Sequence, residues 1–218
     1  MSRTHSGKVL FIYLLAISVL IAIAVVSMIF HISIPTFTRD VTAIAGIHPF
    51  SGILSNLGIY LWCISASTGF FAAIVLHEIG QTKNFLFLFS SALLSTYLML
   101  DDAFLFHEDL ASRLLGVSEK VVFVILGIAV FVYLKYFMHV ILKTKYITLL
   151  IAFAFLSLSV VIDSILESWL WRLGHWEFFV EDGAKWIGIT SWCIYHVNTS
   201  FHFVVDAYIL PNRVRAGV

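Results

Sequence analysis

Long apolar blocks dominate this chain and leave it one class of fold. A helix that crosses the hydrocarbon layer needs about 20 mostly apolar residues. Six stretches supply them, at about 9–32, 52–76, 84–107, 121–142, 146–170 and 183–210. The apolar parts of the third and fifth end near Leu100 and Ile162. They are expected to run on as helix, because 101–115 and 163–171 contain no Pro or Gly. A soluble chain of 218 residues has no place for so much apolar surface, since roughly 30% of its unfolded surface would stay wet. With 61% hydrophobic and 12% charged residues, the solvent must be lipid. Lipid offers the backbone no hydrogen bonds, so each span must satisfy its own. The predicted fold is therefore all-α: one polytopic membrane domain over 1–218, a bundle of six transmembrane helices. Zero net charge and the lack of a basic tract exclude nucleic acid as a partner. The first block is too long for a signal-peptide core and ends without a small-residue cleavage pattern, so it reads as a retained helix.

Lys and Arg in the short loops set the orientation. With the N-terminus cytoplasmic, Arg3, Lys8, Lys83, Lys135, Lys143, Lys145, Arg213 and Arg215 lie inside. Arg39, Arg113, Lys120, Arg172 and Lys185 lie outside. The bias predicts an inner-membrane protein with both termini cytoplasmic. Nearly all the acids, Glu78 and Asp206 excepted, then fall at the outer face. Trp169, Trp171, Trp176 and Trp186 gather at the same interface, as an aromatic belt does. Cys63 and Cys193 fall near mid-span and are expected to be buried thiols acting as small hydrophobes.

Charges that border a membrane helix are costly, so their positions carry most of the functional signal. Asp101, Asp102, His107 and Glu108 end the third span, and Asp163 and Glu167 end the fifth. At helix C-termini the dipole disfavours a carboxylate, so these groups need a cation, a hydrogen-bond network or water. Together they form a candidate metal set. Mixed carboxylate and imidazole suits zinc, manganese or iron, whereas carboxylates alone suit calcium or magnesium. Glu181 and Asp182 are placed at the start of the sixth span, as a catalytic base or as supports to the ligands. A plainer role is also open to them: Asp182 as helix cap, Glu181 paired with Lys185.

A second feature runs down the sixth span. Ser191, Tyr195, Asn198, His202 and Asp206 recur at helical spacing and draw one polar seam, with His196 on a neighbouring face near mid-span. Such a seam serves either as interhelical glue or as a pathway. As glue, it would find partners in the second span among Ser55, Asn56, Tyr60, Ser65, Ser67 and Thr68. His77 and His139 are placed where bis-histidine ligation of a haem between helices is feasible, and six helices with scattered histidines resemble the cytochrome b561 family. The outer histidine pair of that arrangement is absent from the spans, so haem is disfavoured.

Ser55-Asn56-Leu57, Asp101-Asp102 and Trp192-Cys193-Ile194-Tyr195-His196-Val197 resemble three short patches of alkaline-ceramidase-type membrane hydrolases. That resemblance implies a seven-helix amidase with zinc held by three histidines. Here His196 matches one of them, Trp192 stands at the second position and Ser90 or Ser91 at the third. The string 102–108 and the run Glu181-Asp182-Gly183-Ala184-Lys185 are similar to an uncharacterised family of bacterial multi-pass proteins, which implies no activity.

Three functions fit these features. The first is a metal-dependent membrane hydrolase at the outer face, where bound water attacks a lipid or other amphiphile. No His-Glu-x-x-His or His-x-x-x-His spacing accompanies it. The second is proton or cation transport along the sixth-span seam, although no Gly/Pro break interrupts a span at its middle. The third is a scaffold or accessory subunit for another membrane protein, its acids tied to Arg113, Lys120, Arg172 and Lys185.

Overall fold

A computed structural model describes residues 2–106, 111, 113, 116–163 and 176–216, and these form helices joined by short turns, with no strand among the described residues. Among the described residues, four helices are long and apolar enough to cross a membrane, and they mark the chain as a membrane protein. The chain divides into two units, Met1–Gly52 and Ile53–Val218.

The first unit is led by α1 (Ser2–Phe30). It stops where His31 turns left-handed at φ 53°. The amide of Ile32 then donates to the Ser27 carbonyl at 3.1 Å, and the Ser27 hydroxyl donates to the Ile32 carbonyl at 2.6 Å. This closes the orphaned end of the helix in the manner of a Schellman cap. Two single-turn helices follow, α2 (Ile34–Thr38) and α3 (Val41–Ala45), in a stretch expected to be loop. Pro35 starts the first of them, where its missing amide costs nothing.

The second unit holds α4 (Ile53–Glu78), α5 (Thr82–Phe104), α6 (Glu119–Ile141), α7 (Ile147–Val161) and α8 (Trp176–Ala216). At 1.5 Å per residue, α4 is about 39 Å long and α5 and α6 about 35 Å, enough for a hydrocarbon layer of about 30 Å. A Schellman turn joins α4 to α5: Gly80 sits at φ 76°, its amide donates to His77 and that of Gln81 to Leu76. Packing centres on α4, which lies against both α5 and α8, while α8 also lies along α7. The buried stripe of α4 is mostly small residues: Gly58, Ser65, Ala66, Gly69, Ala72 and Ala73. Small residues let helix backbones close up where lipid gives no hydrophobic drive between them. The tightest approach is between α7 and α8. A Cβ on Gly188 would stand 2.8 Å from Cγ and 2.9 Å from the backbone nitrogen of Leu156. The opposite faces present Phe71, Ile74, Ile125, Phe131 and other large apolar side chains outward.

Two helix ends differ from expectation, and the end of the fifth span falls outside the described residues. The third span was to run past 107, but α5 ends at Phe104, with Leu105 left-handed at φ 50° and its amide bonded to the Asp101 carbonyl. The fifth is helical over Ile147–Val161, and 164–175 lie outside the described residues. The last helix begins at Trp176 rather than 183, because nothing in Trp176–Val180 breaks it. Asp182 is therefore one turn and more inside the helix and cannot be its cap. Nor are both cysteines buried: Cys193 is, and Cys63 is exposed.

Candidate functional site

Two polar clusters and a polar stretch between them line the α8 side of the second unit. The first cluster forms where the end of α5 meets α4 and α8. Asp102 accepts a hydrogen bond from the Trp62 indole Nε1 at 2.8 Å and an ion pair from Lys185 Nζ at 2.7 Å. Its carboxylate is 8% exposed and the Lys185 side chain 35%. The pair is thus half inside the protein, where opposite charges attract more strongly than in water. Asp101, its neighbour, is buried. A cavity of about 20 Å³ adjoins Asp102, Asp182 and Lys185, room for about one water.

Of the other proposed site residues, Asp182 borders this cavity. Asp163 is exposed at the end of α7, Glu181 is half-buried and Asp182 is exposed. His107, Glu108 and Glu167 lie outside the described residues. Among the described residues, no three His, Cys, Asp or Glu side chains converge on a point that could hold a metal ion.

Below Asp102 the core is aromatic and hydroxyl-bearing. Trp62 meets Trp192 edge to face, with ring centroids 5.6 Å apart, and Phe153 meets Trp192 in the same way. The Trp192 indole donates to the Ser95 hydroxyl at 2.9 Å, and the Ser91 and Tyr133 hydroxyls share a hydrogen bond of 2.7 Å. These indoles and hydroxyls are satisfied, as buried polar groups usually are. His196 is the exception. It is 1% exposed, its ring lies 4.5 Å from that of Trp192, and neither of its nitrogens has a hydrogen-bond partner among the described residues. The hydroxyls of Thr190 and Ser200, near it on α8, are likewise buried without partners among them.

The sequence seam is divided by the structure. Ser191 and Tyr195 are buried, and His196, Thr199 and Ser200 are buried with them. Asn198, His202 and Asp206 are exposed and line the second cluster, a cleft of about 310 Å³ between α8 and the loop entering α7. Lys143, Lys145 and Thr148 line its other wall. The Tyr195 and Thr144 hydroxyls join across its floor at 2.9 Å. Tyr195 thus finds this partner on the loop and not in α4, where Tyr60 faces outward.

Sequence reasoning missed Trp62, Thr144 and the lysine wall of the cleft. Trp62 had a signal, since a buried indole seeks an acceptor. Thr144 had none, because loop geometry decides its reach. A family model described as "Domain of unknown function (DUF8692)" matches residues 11–199. The chain belongs to this family. No curated protein and no solved structure matches it. The region shared with DUF8692 includes Trp62, Asp102, Lys185 and His196, and ends before His202 and Asp206.

Proposed function

We propose that this protein moves protons across the membrane along the buried face of α8, with His196 as the central relay. The observation that carries the reading is a fully buried imidazole whose two ring nitrogens have no partner among the described residues. An ionisable side chain left unsatisfied within a membrane bundle is costly and marks a functional position by default. Imidazole also suits the task, because it takes up a proton on one nitrogen and gives one up from the other. His196 is 11 residues from Lys185 and 10 from Asp206, so about 16 Å and 15 Å of helix separate it from the two charged clusters. Protons are favoured over metal cations as cargo. The buried stretch holds hydroxyls and one imidazole rather than carboxylates that could replace a metal ion's hydration shell.

In this reading the chain crosses the inner membrane six times, both termini are cytoplasmic, and the Asp102–Lys185 pair closes the outer end. Protein reconstituted in liposomes with a pH-sensitive dye inside should dissipate an imposed proton gradient, and His196→Leu should remove that flux. Wild-type liposomes no leakier than empty ones would refute the proposal.

The metal-dependent hydrolase is kept as a second reading by one feature, the cavity beside Asp102 and Asp182. It requires Lys185 to give up Asp102 to an ion. Elemental analysis of untagged protein purified without chelator tests it: a stoichiometric metal lost in Asp102→Asn supports a site, and background metal rejects one. Absence of both flux and metal would leave the scaffold reading.

A further inference from the structure

The cleft between α8 and the α6–α7 loop, at the Asp206 end of the proposed proton path, has a charge arrangement that proton movement alone does not call for. One wall carries Lys143 and Lys145, and the other carries Asp206. No ion pair within 4.0 Å joins either lysine to Asp206 or to any other described residue. Opposite charges therefore line one space of about 310 Å³ without neutralising each other. Phe203 is the apolar residue of a lining otherwise made of charged groups, hydroxyls, an amide and an imidazole, on a protein whose exposed faces are largely apolar. Such a volume stands at the small end of small-molecule sites. The Thr144–Tyr195 hydrogen bond ties the two walls together and holds the backbones that carry these charges to either side of one space.

We infer that this cleft binds a phosphate ester carrying a primary amine, the phosphoethanolamine headgroup of a membrane lipid. The phosphate lies between Lys143 and Lys145 and accepts from the Thr148 hydroxyl. The ammonium donates to the Asp206 carboxylate. Charged hydrogen bonds of this kind are roughly twice as strong as neutral ones, and basic recesses between membrane helices are established places for lipid phosphates. A choline headgroup matches the charge but has no N–H to give Asp206. A glycerol headgroup matches the phosphate wall and leaves Asp206 without a cation. The cleft should therefore select the primary amine as well as the phosphate. The inference stands apart from proton movement, because lipid binding and flux are read in separate assays.

The test is lipid titration of the intact, delipidated protein in neutral detergent, read by native mass spectrometry. The probes are phosphatidylethanolamine, phosphatidylcholine, phosphatidylglycerol and water-soluble phosphoethanolamine. Phosphatidylethanolamine should bind about tenfold more tightly than either other lipid, equivalent to about 1.4 kcal/mol. Asp206→Asn should abolish its advantage over phosphatidylglycerol, and Lys143→Gln with Lys145→Gln should weaken both. These side chains are exposed, and an unchanged melting temperature verifies the fold of each variant. Displacement by soluble phosphoethanolamine at matching concentration would assign the site to the free phosphate ester, and its failure to compete to the lipid. Equal binding of the three lipids, or a preference that survives Asp206→Asn, would overturn the inference.

Discussion

The Asp102 end of the second unit and the middle of α8 treat buried polarity in opposite ways. At the first, a carboxylate is held from two sides by Trp62 and Lys185. At the second, an imidazole and two hydroxyls are enclosed with no partner among the described residues. Both are costly to bury, but only the first is compensated by its surroundings. A satisfied cluster stabilises and positions, whereas an unsatisfied one is kept at a cost to stability. That difference is why function is assigned here to His196 and structure to Asp102.

The contrast breaks most visibly at the ion pair. Lys185→Met leaves a mostly buried carboxylate with its indole donor alone, and should cost about 3 kcal/mol in thermal unfolding of the detergent-solubilised protein. Combining it with Asp102→Asn should recover much of that loss, and simple additivity of the two changes would show that the pair is not coupled. Trp62→Phe keeps the ring and removes the donor, for a loss of about 1.5 kcal/mol. Ser95→Ala withdraws the acceptor of the Trp192 indole and should cost about 1 kcal/mol by the same measurement. His196→Leu should differ in sign. Replacing an unsatisfied polar side chain by an apolar one of similar size should raise stability by up to about 1 kcal/mol.

What the sequence disclosed follows from how local each feature is. Membrane helices were legible because span length and apolar content are fixed by the bilayer, and α4, α5 and α6 fall where those blocks lie. The start of α8 was misjudged since its first residues, Trp176–Val180, are apolar apart from Glu177 and precede the acids Glu181 and Asp182 that had looked like a cap. The end of α5 was misjudged because the left-handed turn at Leu105 has no Gly or Asn to announce it. Within the site, Ser191, Tyr195 and His196 were identified by helical spacing, which is a property of one helix. Pairing Asp102 with Lys185, or Tyr195 with Thr144, joins residues far apart in the chain, and spacing along one helix is silent about that. The seam split for the same reason. Tyr195 and Asp206 share a stripe on α8, but Tyr195 is buried at the cleft floor against the loop entering α7, and Asp206 stays exposed on the cleft wall.

The central claim is that His196 is retained for what it does and not for what it holds together. Thermal stability and proton flux measured side by side on wild-type protein and His196→Leu test it most directly. The account predicts a variant at least as stable as wild type that no longer conducts. A variant that unfolds more easily while its flux matches wild type would contradict it, and would make His196 part of the packing.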